Sequence, residues 1–540
     1  MNNNYQINSY LKNECDECLI KGICTVNSTL SSLQEIILLH IKEIAFYLLK
    51  LKGFGITNDS LKEPIIYALF NIVTNAEYNQ EQFHELITKL NASITQSKIL
   101  YEKYCLEHDL EIETLKTYFK HSKNFQLTDA IKKGEKYSLK KNSSFNQQQK
   151  VLFDIMLFLV KSVSIKIVES QRLEKDYEEA YYALLSMLDT MNFNNFTEKK
   201  AHEAIENFVL IYHKIIQDVF YAQIERYGEM SPVEVSLTTY PGKAVLVSGS
   251  DYRKLENVLK AVEKTDINVY THGMEMLMAH SFPKLRSHKN LKGHYGSGIE
   301  SSMIDFASFP GPVLMTKCSL HKIEYLYRGR LFTLDPIAPM GVVKLHKEDY
   351  EALIKSALDS KGFSKLTTKP SVKVGFSPAD VKAKIKEIMN KIINKEIKHL
   401  YIIGLLNTTN PYKQYFDKFF EALPEDCYAI SLCHNVTADN VYHLDSFSDY
   451  ALIYKILKWI NNEKPISEID MSIFIPKCDK HIISNLLYLK LQGIKNIYMC
   501  KCPSSLVNPS LISMLEKTFD IKEFTDPRAD IEATLSTKGD

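Results

Sequence analysis

Hydrophobic residues recur along this chain in two rhythms, and the change from one to the other near residue 230 divides it. From Leu30 to Arg226 the apolar positions follow helical spacing. Leu33, Ile36, Ile37, Ile41, Ile44 and Leu48 mark one face of a first helix, and Gly53 and Gly55 signal its end. Residues 65–73 and 83–90 continue the pattern, and helices resume at 151–169, 178–189 and 199–224. Residues 121–149 are rich in Lys, Asn and Gln and read as a connection between two helical groups. Aromatic and Met positions in these helices read as core stripes.

After the joint SPVEVSLTTYP (231–241) the rhythm shortens. Between 242 and 345 the apolar runs AVLVSG, INVY, PVLMT and RLFTL alternate with a helical segment and with loops holding Gly, Pro, His, Glu and Cys. Strands are expected at 243–248 and 267–270, with a helix at 251–264. That alternation predicts an α/β domain whose strand ends carry polar groups to a ligand. The chain beyond it reads as a second α/β domain.

Composition narrows the class of protein. At 540 residues the length allows roughly three to four domains. Lys plus Arg (66) against Asp plus Glu (65) leaves +1, which gives no reason to expect a nucleic-acid partner. The start, MNNNYQINSYLKNE, shows no basic n-region or apolar h-region, so no secretory signal is expected. The most apolar stretches, 36–51 and 151–168, are interrupted by His40, Lys42 and Glu43 and by Asp154 and Lys161. They read as buried helices, not membrane spans. A cytoplasmic protein is the expectation, and its 10 cysteines read as thiols or metal ligands more than as disulfides.

Two places carry candidate chemistry. Cys15, Cys18 and Cys24 bring three thiolates into one short loop, the kind that wraps an iron–sulfur cluster. Zinc with a nitrogen ligand is the alternative there, and ordinary structural thiols the plain one. Farther on, His272, Glu275, His280, His288 and His294 follow one strand end, and Cys318 follows another. Glu275 can bind metal or move protons, and Cys318 can be a thiolate ligand. The plainer reading is that His272 and His280 bond loop carbonyls and Glu275 is a solvated loop acid.

The stretches YTHGMEMLMAHSFPKL, GHYGSG, FPGPVLMTKC and GRLFTLDPIAPMGVVKL resemble those of the hybrid cluster proteins, also called prismane proteins or hydroxylamine reductases. LQEIILLHIKEIAFYLLKLKGFGI, ALFNIVTN, IKHLYIIG and LQGIKNIYM extend the resemblance from end to end, in order. It implies a multidomain α plus α/β fold shared with carbon monoxide dehydrogenases. A helical-bundle domain (1–235) precedes two Rossmann-like α/β domains (236–372 and 373–540). It also implies an iron–sulfur cubane at the N-terminal Cys loop, and between the domains a hybrid iron–sulfur–oxygen cluster that reduces hydroxylamine. A small nitrogen-oxide substrate and an electron donor that the sequence does not name would be the partners, with no nucleic acid and no membrane.

Carried over position by position, the resemblance departs from the family at the cluster ligands. The family's histidine falls on Ser250, and its first glutamate on Glu275, with Met274 inserted before it. Its cysteines fall on Cys318, on Leu406, on His434 beside Cys433, and on Phe447, while its last glutamate and lysine fall on Asp479 and His481. Cys18 and Cys24 overlay the last two N-terminal cysteines, and Cys15 stands in as a displaced third. A multi-iron cluster in a dry site needs its thiolates and carboxylates, so altered or lost hybrid-cluster chemistry is expected. Three readings remain open. One is a redox enzyme with a smaller metal site of Glu275, Cys318, Cys433 or His434, Asp479 and His481. The second is a pseudoenzyme that binds or regulates, and the third an electron-transfer or sensor protein keeping only the N-terminal cluster.

Overall fold

A computed structural model describes residues 28–73, 80–115, 125–137, 145–192, 196–296, 302–316, 326–334, 338, 341–346, 349–404, 412–432, 438–446, 450–477, 481–501 and 509–536. The helical part contains α1 (Ser28–Gly53), α2 (Lys62–Val73), α3 (Gln80–Glu107), α4 (Leu127–Tyr137), α5 (Gln147–Arg172), α6 (Glu178–Thr190) and α7 (Glu198–Tyr227). The predicted stripe of α1 is the centre of this core: Ile36, Ile37, Ile41 and Ile44 are all buried. A reciprocal cap starts α5, in which the Asn146 side chain accepts from the Gln149 amide and Gln149 bonds back to Asn146. Thr197 caps α7, and Gly228, at φ 89°, ends it.

One helix departs from the expectation. The segment read as a polar connection contains α4, which lies against α1. Leu127, Ala130, Ile131 and Gly134 share one face of it, a short apolar stripe in an otherwise polar run. Gly134 permits the approach, because a Cβ there would sit 2.0 Å from the Ser32 carbonyl oxygen.

The rest of the chain builds two parallel sheets, each six-stranded. The first comprises β2 (Ala244–Ser248), β3 (Asn268–His272), β4 (Leu291–His294), β5 (Val313–Met315), β6 (Leu331–Thr333) and β7 (Val342–Lys344), in the order β4-β3-β2-β5-β6-β7. The second comprises β9 (His399–Ile403), β10 (Cys427–Ser431), β11 (Val441–His443), β12 (Met471–Ile475), β13 (Asn496–Met499) and β14 (Ile521–Glu523), in the order β11-β10-β9-β12-β13-β14. Counted within each sheet, both read 3-2-1-4-5-6, the doubly wound order that puts ligands at the carboxyl ends of the strands. An antiparallel pair, β1 (Val233–Val235) with β8 (Val372–Val374), ties the entry of the first sheet to the approach to the second. Strand β3 runs two residues past the predicted end, because Thr271 pairs with His294 and Ser248 with His272. His272 therefore belongs to the ladder, not to the loop after it. Among the described residues, no helix is long and apolar enough to cross a membrane.

Two lysines of the helical part are buried among the described residues, Lys166, which pairs with Glu169, and Lys42, which has a backbone partner. Lys42 is 2% exposed and donates to the Met191 carbonyl at 3.0 Å, satisfying the C-terminal end of α6. Desolvation lowers its pKa to about 8, against opposing attraction from Glu35 and Asp189. Between pH 8 and the ordinary value of 10.5 the unfolded chain holds a proton that the folded chain does not. Stability attributable to this group therefore rises through that window, by about 3 kcal/mol at full span. Urea unfolding of wild type and Lys42→Met at pH 7 to pH 10.5 is expected to show wild type gaining on the variant as pH rises.

Candidate functional site

The carboxyl ends of β2, β3 and β5 form a polar edge whose parts are bonded mainly to one another. At the switch point between β2 and β5, the Thr316 hydroxyl accepts from the amides of Ser250 (3.0 Å) and Asp251 (3.2 Å). The Lys254 ammonium donates to the Thr316 carbonyl at 2.9 Å. Asp251 caps the helix Tyr252–Ala261 by accepting from the Arg253 and Lys254 amides, and its other oxygen pairs with Arg172 of α5. Ser250 thus sits in a loop pinned from two sides. Its hydroxyl is buried and finds no hydrogen-bond partner among the described residues.

The histidines at this edge bond side-chain hydroxyls, which corrects the expectation of loop carbonyls. Nδ1 of His272 lies 2.9 Å from the Ser248 hydroxyl, and its Nε2 lies 3.2 Å from Asp305. Asp305 reaches it past Gly296, where a Cβ would come within 2.3 Å of the carboxylate. The Thr271 hydroxyl is shared by His280 Nε2 (2.9 Å) and His294 Nδ1 (2.8 Å). Burial pushes the His280 pKa down to about 4. His294 is held well below its ordinary value, first by burial and then by the neighbouring His272 and His280. Both are neutral imidazoles at neutral pH, suited to holding a hydrogen-bond network and not a positive charge.

Glu275 lies in the short helix Met274–Leu277 that begins at Gly273, whose φ of 90° turns the chain out of β3. The Tyr252 hydroxyl fixes its carbonyl at 2.9 Å. Its carboxylate is not the solvated acid of the plain reading. Oε1 accepts from the Lys477 ammonium at 2.8 Å, and Lys477 lies two residues beyond β12 of the second sheet. The pair is about one-third exposed on each side (34% and 33%). It joins the strand ends of the two sheets.

The third part of the molecule reaches the same region through α7. The buried Tyr212 hydroxyl lies 2.8 Å from His481 Nδ1, at the start of the helix Ile482–Leu491 after β12. His481 is anchored through its backbone as well, its carbonyl accepting from the Asn485 amide and side chain. The next residue of α7, His213, stacks on Tyr488 with ring centroids 4.0 Å apart and meets Tyr454 edge-on.

Of the positions to which the resemblance carries cluster ligands, Ser250 and Glu275 lie at the carboxyl edge of the first sheet and His481 beyond β12 of the second, and of these Glu275 makes the contact across the sheets. Cys15, Cys18, Cys24, Cys318, Leu406, Cys433, His434, Phe447 and Asp479 lie outside the described residues. Lys477 and Tyr212 were missed. A lysine after a strand carries no motif, and a tyrosine on an apolar helix face is indistinguishable from core.

The described residues do not fit a hybrid cluster in the arrangement the resemblance implies. Glu275 already has an ammonium on its carboxylate, and Ser250 offers a neutral hydroxyl where the family has an imidazole. Among the described residues, no group of three or more His, Cys, Asp or Glu side chains could hold a metal ion.

Comparison with known proteins identifies the lineage. The model of the Prismane/CO dehydrogenase family matches residues 12–446, so this chain belongs to that family. It is 28% identical over 549 residues to a protein named hydroxylamine reductase from Thermodesulfovibrio yellowstonii, covering 96% of this chain and 98% of that one. The hydroxylamine reductase of Methanocella arvoryzae is 25% identical over 551 residues, covering 98% and 99%. Among solved structures, an alpha subunit of acetyl-CoA synthase/carbon monoxide dehydrogenase with NiZn[Fe4S4] and NiNi[Fe4S4] clusters superposes with a TM-score of 0.50. It covers 95% of this chain and 83% of that one at 10% identity, a likeness of fold alone.

The neutral histidines make the edge acid-sensitive. For His280 the folded pKa of about 4 lies below the ordinary 6.5, so between these values only the unfolded chain binds the proton. Stability is full above pH 6.5 and is lost as pH falls toward 4. His280→Gln keeps a group able to bond Thr271 without a titrating ring. Its urea midpoint is expected to fall less than that of wild type between pH 7 and pH 4.5.

Proposed function

We propose that this chain is a hydroxylamine-reductase-like oxidoreductase scaffold whose hybrid-cluster chemistry is altered or lost. The observation that carries this reading is the Glu275–Lys477 ion pair, 2.8 Å long. A carboxylate required as an anionic ligand would have to surrender a protein cation to a metal. An ammonium beside it also raises the local positive charge that an incoming iron must face. Ser250 supports the same reading from the first sheet, and Leu406 and Phe447 support it from the sequence, as apolar residues where thiolates are needed.

A second reading concerns the N-terminal loop. Cys15, Cys18 and Cys24 keep thiol spacing suited to an iron–sulfur cluster, which would leave electron transfer or sensing as the surviving activity. The two readings are compatible, since one concerns the junction and the other the N-terminal loop.

Anaerobic purification with counts of iron, zinc and acid-labile sulfide tests both. The expected result is no more iron and sulfide than a single cubane holds, lost in Cys18→Ser, with hydroxylamine consumption from a reduced dye at background. More iron than one cubane can hold, together with hydroxylamine turnover, would overturn the proposal. A chain without iron or sulfide would leave the first reading standing and remove the second.

A further inference from the structure

Lysine ammonium groups lie over aromatic rings at several points in this fold, and at one of them the rings form a box. Lys50, Lys52, Lys62 and Lys369 each lie over one ring among the described residues. Lys455 lies over three: its Nζ is 5.2 Å from the ring centroid of Phe220, 5.1 Å from that of Tyr221 and 5.5 Å from that of Trp459. Trp459 follows Lys455 by one turn on the helix Ala451–Glu463, so both side chains share a face. Phe220 and Tyr221 are neighbours near the end of α7, with ring planes 74° apart. The Gln217 side chain donates to the Ala451 carbonyl at 3.2 Å and fixes the start of the second helix on α7. Phe220 is a buried floor, while Tyr221, 45% exposed, leaves one side open to water.

These walls suit a cation that needs no hydrogen bonds. Among the described residues, no carboxylate pairs with Lys455 and no oxygen accepts from its N–H groups. Burial pulls its pKa below the ordinary lysine value, opposed by attraction from Glu229 and aided by Lys458. An ammonium brings three N–H donors, which ring faces satisfy poorly. A quaternary ammonium has none, keeps its charge at every pH, and is drawn to the same faces. We propose that Phe220, Tyr221 and Trp459 form a binding site for small quaternary ammonium compounds, with the Lys455 ammonium as its occupant in the free chain. The flexible lysine stem lets that occupant leave on the side of Tyr221. The site shares no residue with the strand-end cluster and stands independently of the functional reading above. The ordinary alternative is a lysine stem packed on apolar rings where two helices meet. Packing alone predicts no selective response to an added cation.

The test uses the full chain, with choline chloride as the probe. Trp459 is the single tryptophan of the sequence, so its fluorescence reports from within the site. Potassium chloride at matched concentration and dimethylbutanol, the uncharged carbon isostere of choline, serve as controls. Wild type is expected to show a saturable change in Trp459 emission with choline and none with either control. Tyr221→Leu removes the exposed wall and is expected to weaken binding about tenfold, the upper range for one cation–π contact. Lys455→Ala leaves no resident ammonium to displace and is expected to tighten binding about tenfold. Should Lys455→Ala fail to fold, wild type and the exposed Tyr221→Leu still decide the matter. The absence of a saturable response in wild type would overturn the proposal. So would an equal response to dimethylbutanol, binding unchanged in Tyr221→Leu, or no gain in a folded Lys455→Ala.

Discussion

A parallel sheet covered on both faces gathers its loops and polar side chains at its edges, and ligands meet it at the carboxyl ends of its strands. In this protein two such sheets bring those ends together, and the charges collected there are answered across the boundaries between parts of the chain. Asp251 of the first sheet is answered by Arg172 of the helical part, and Glu275 by Lys477 of the second sheet. Asp251 is the more buried of the two acids, 6% exposed, so removing Arg172 would leave an enclosed charge with less compensation, which costs more than removing a partner from the one-third-exposed Glu275. The strand-end chemistry and the assembly of the three parts are therefore one problem.

Helix α7 carries much of the mechanical side of that problem. Its 30 residues span about 45 Å, enough to touch both sheets' domains. Near its end, Arg226 pairs with Glu256 on the first, which also binds Arg253 and Lys260. Those partners outweigh burial and draw the Glu256 carboxyl down to about 2. Nearer its middle, Tyr212, His213 and Gln217 meet His481, Tyr488 and the Ala451 carbonyl on the second. His213 is held near 4 by burial and by Lys458, so this contact is a neutral, stacked one. Bonds of differing character, ionic at one end and aromatic at the other, hold the two sheets to one beam.

Much of this architecture was legible in the sequence because it is written in short-range periodicity. The stripe of Ile36, Ile37, Ile41 and Ile44 and the buried run Ala244–Ser248 each announce an element from neighbouring residues alone. Helix α4 escaped because its apolar face is only four residues wide in a Lys-rich run, and its close approach depends on Gly134, which reads as a breaker. The end of β3 was misplaced because Thr271 and His272 are polar residues inside a ladder. What keeps them there is pairing with Ser248 and His294, and the hydroxyl bonds that satisfy their buried groups.

The candidate site was legible in one half only, and chain distance explains which half. Glu275 stood out as an acid just after a strand, a local feature. Its carboxylate meets a lysine 202 residues later, and His481 bonds a tyrosine 269 residues earlier. Neither partner carries a motif, and periodicity assigns Tyr212 to the core. Family resemblance does not supply these partners, because it transfers positions of the family's motifs and Lys477 and Tyr212 lie in none of them. The same fold at 10% identity surrounds nickel and iron–sulfur centres in a solved neighbour. Fold and site are thus separable, and the partner that Glu275 meets has to be read from the structure, not from the fold.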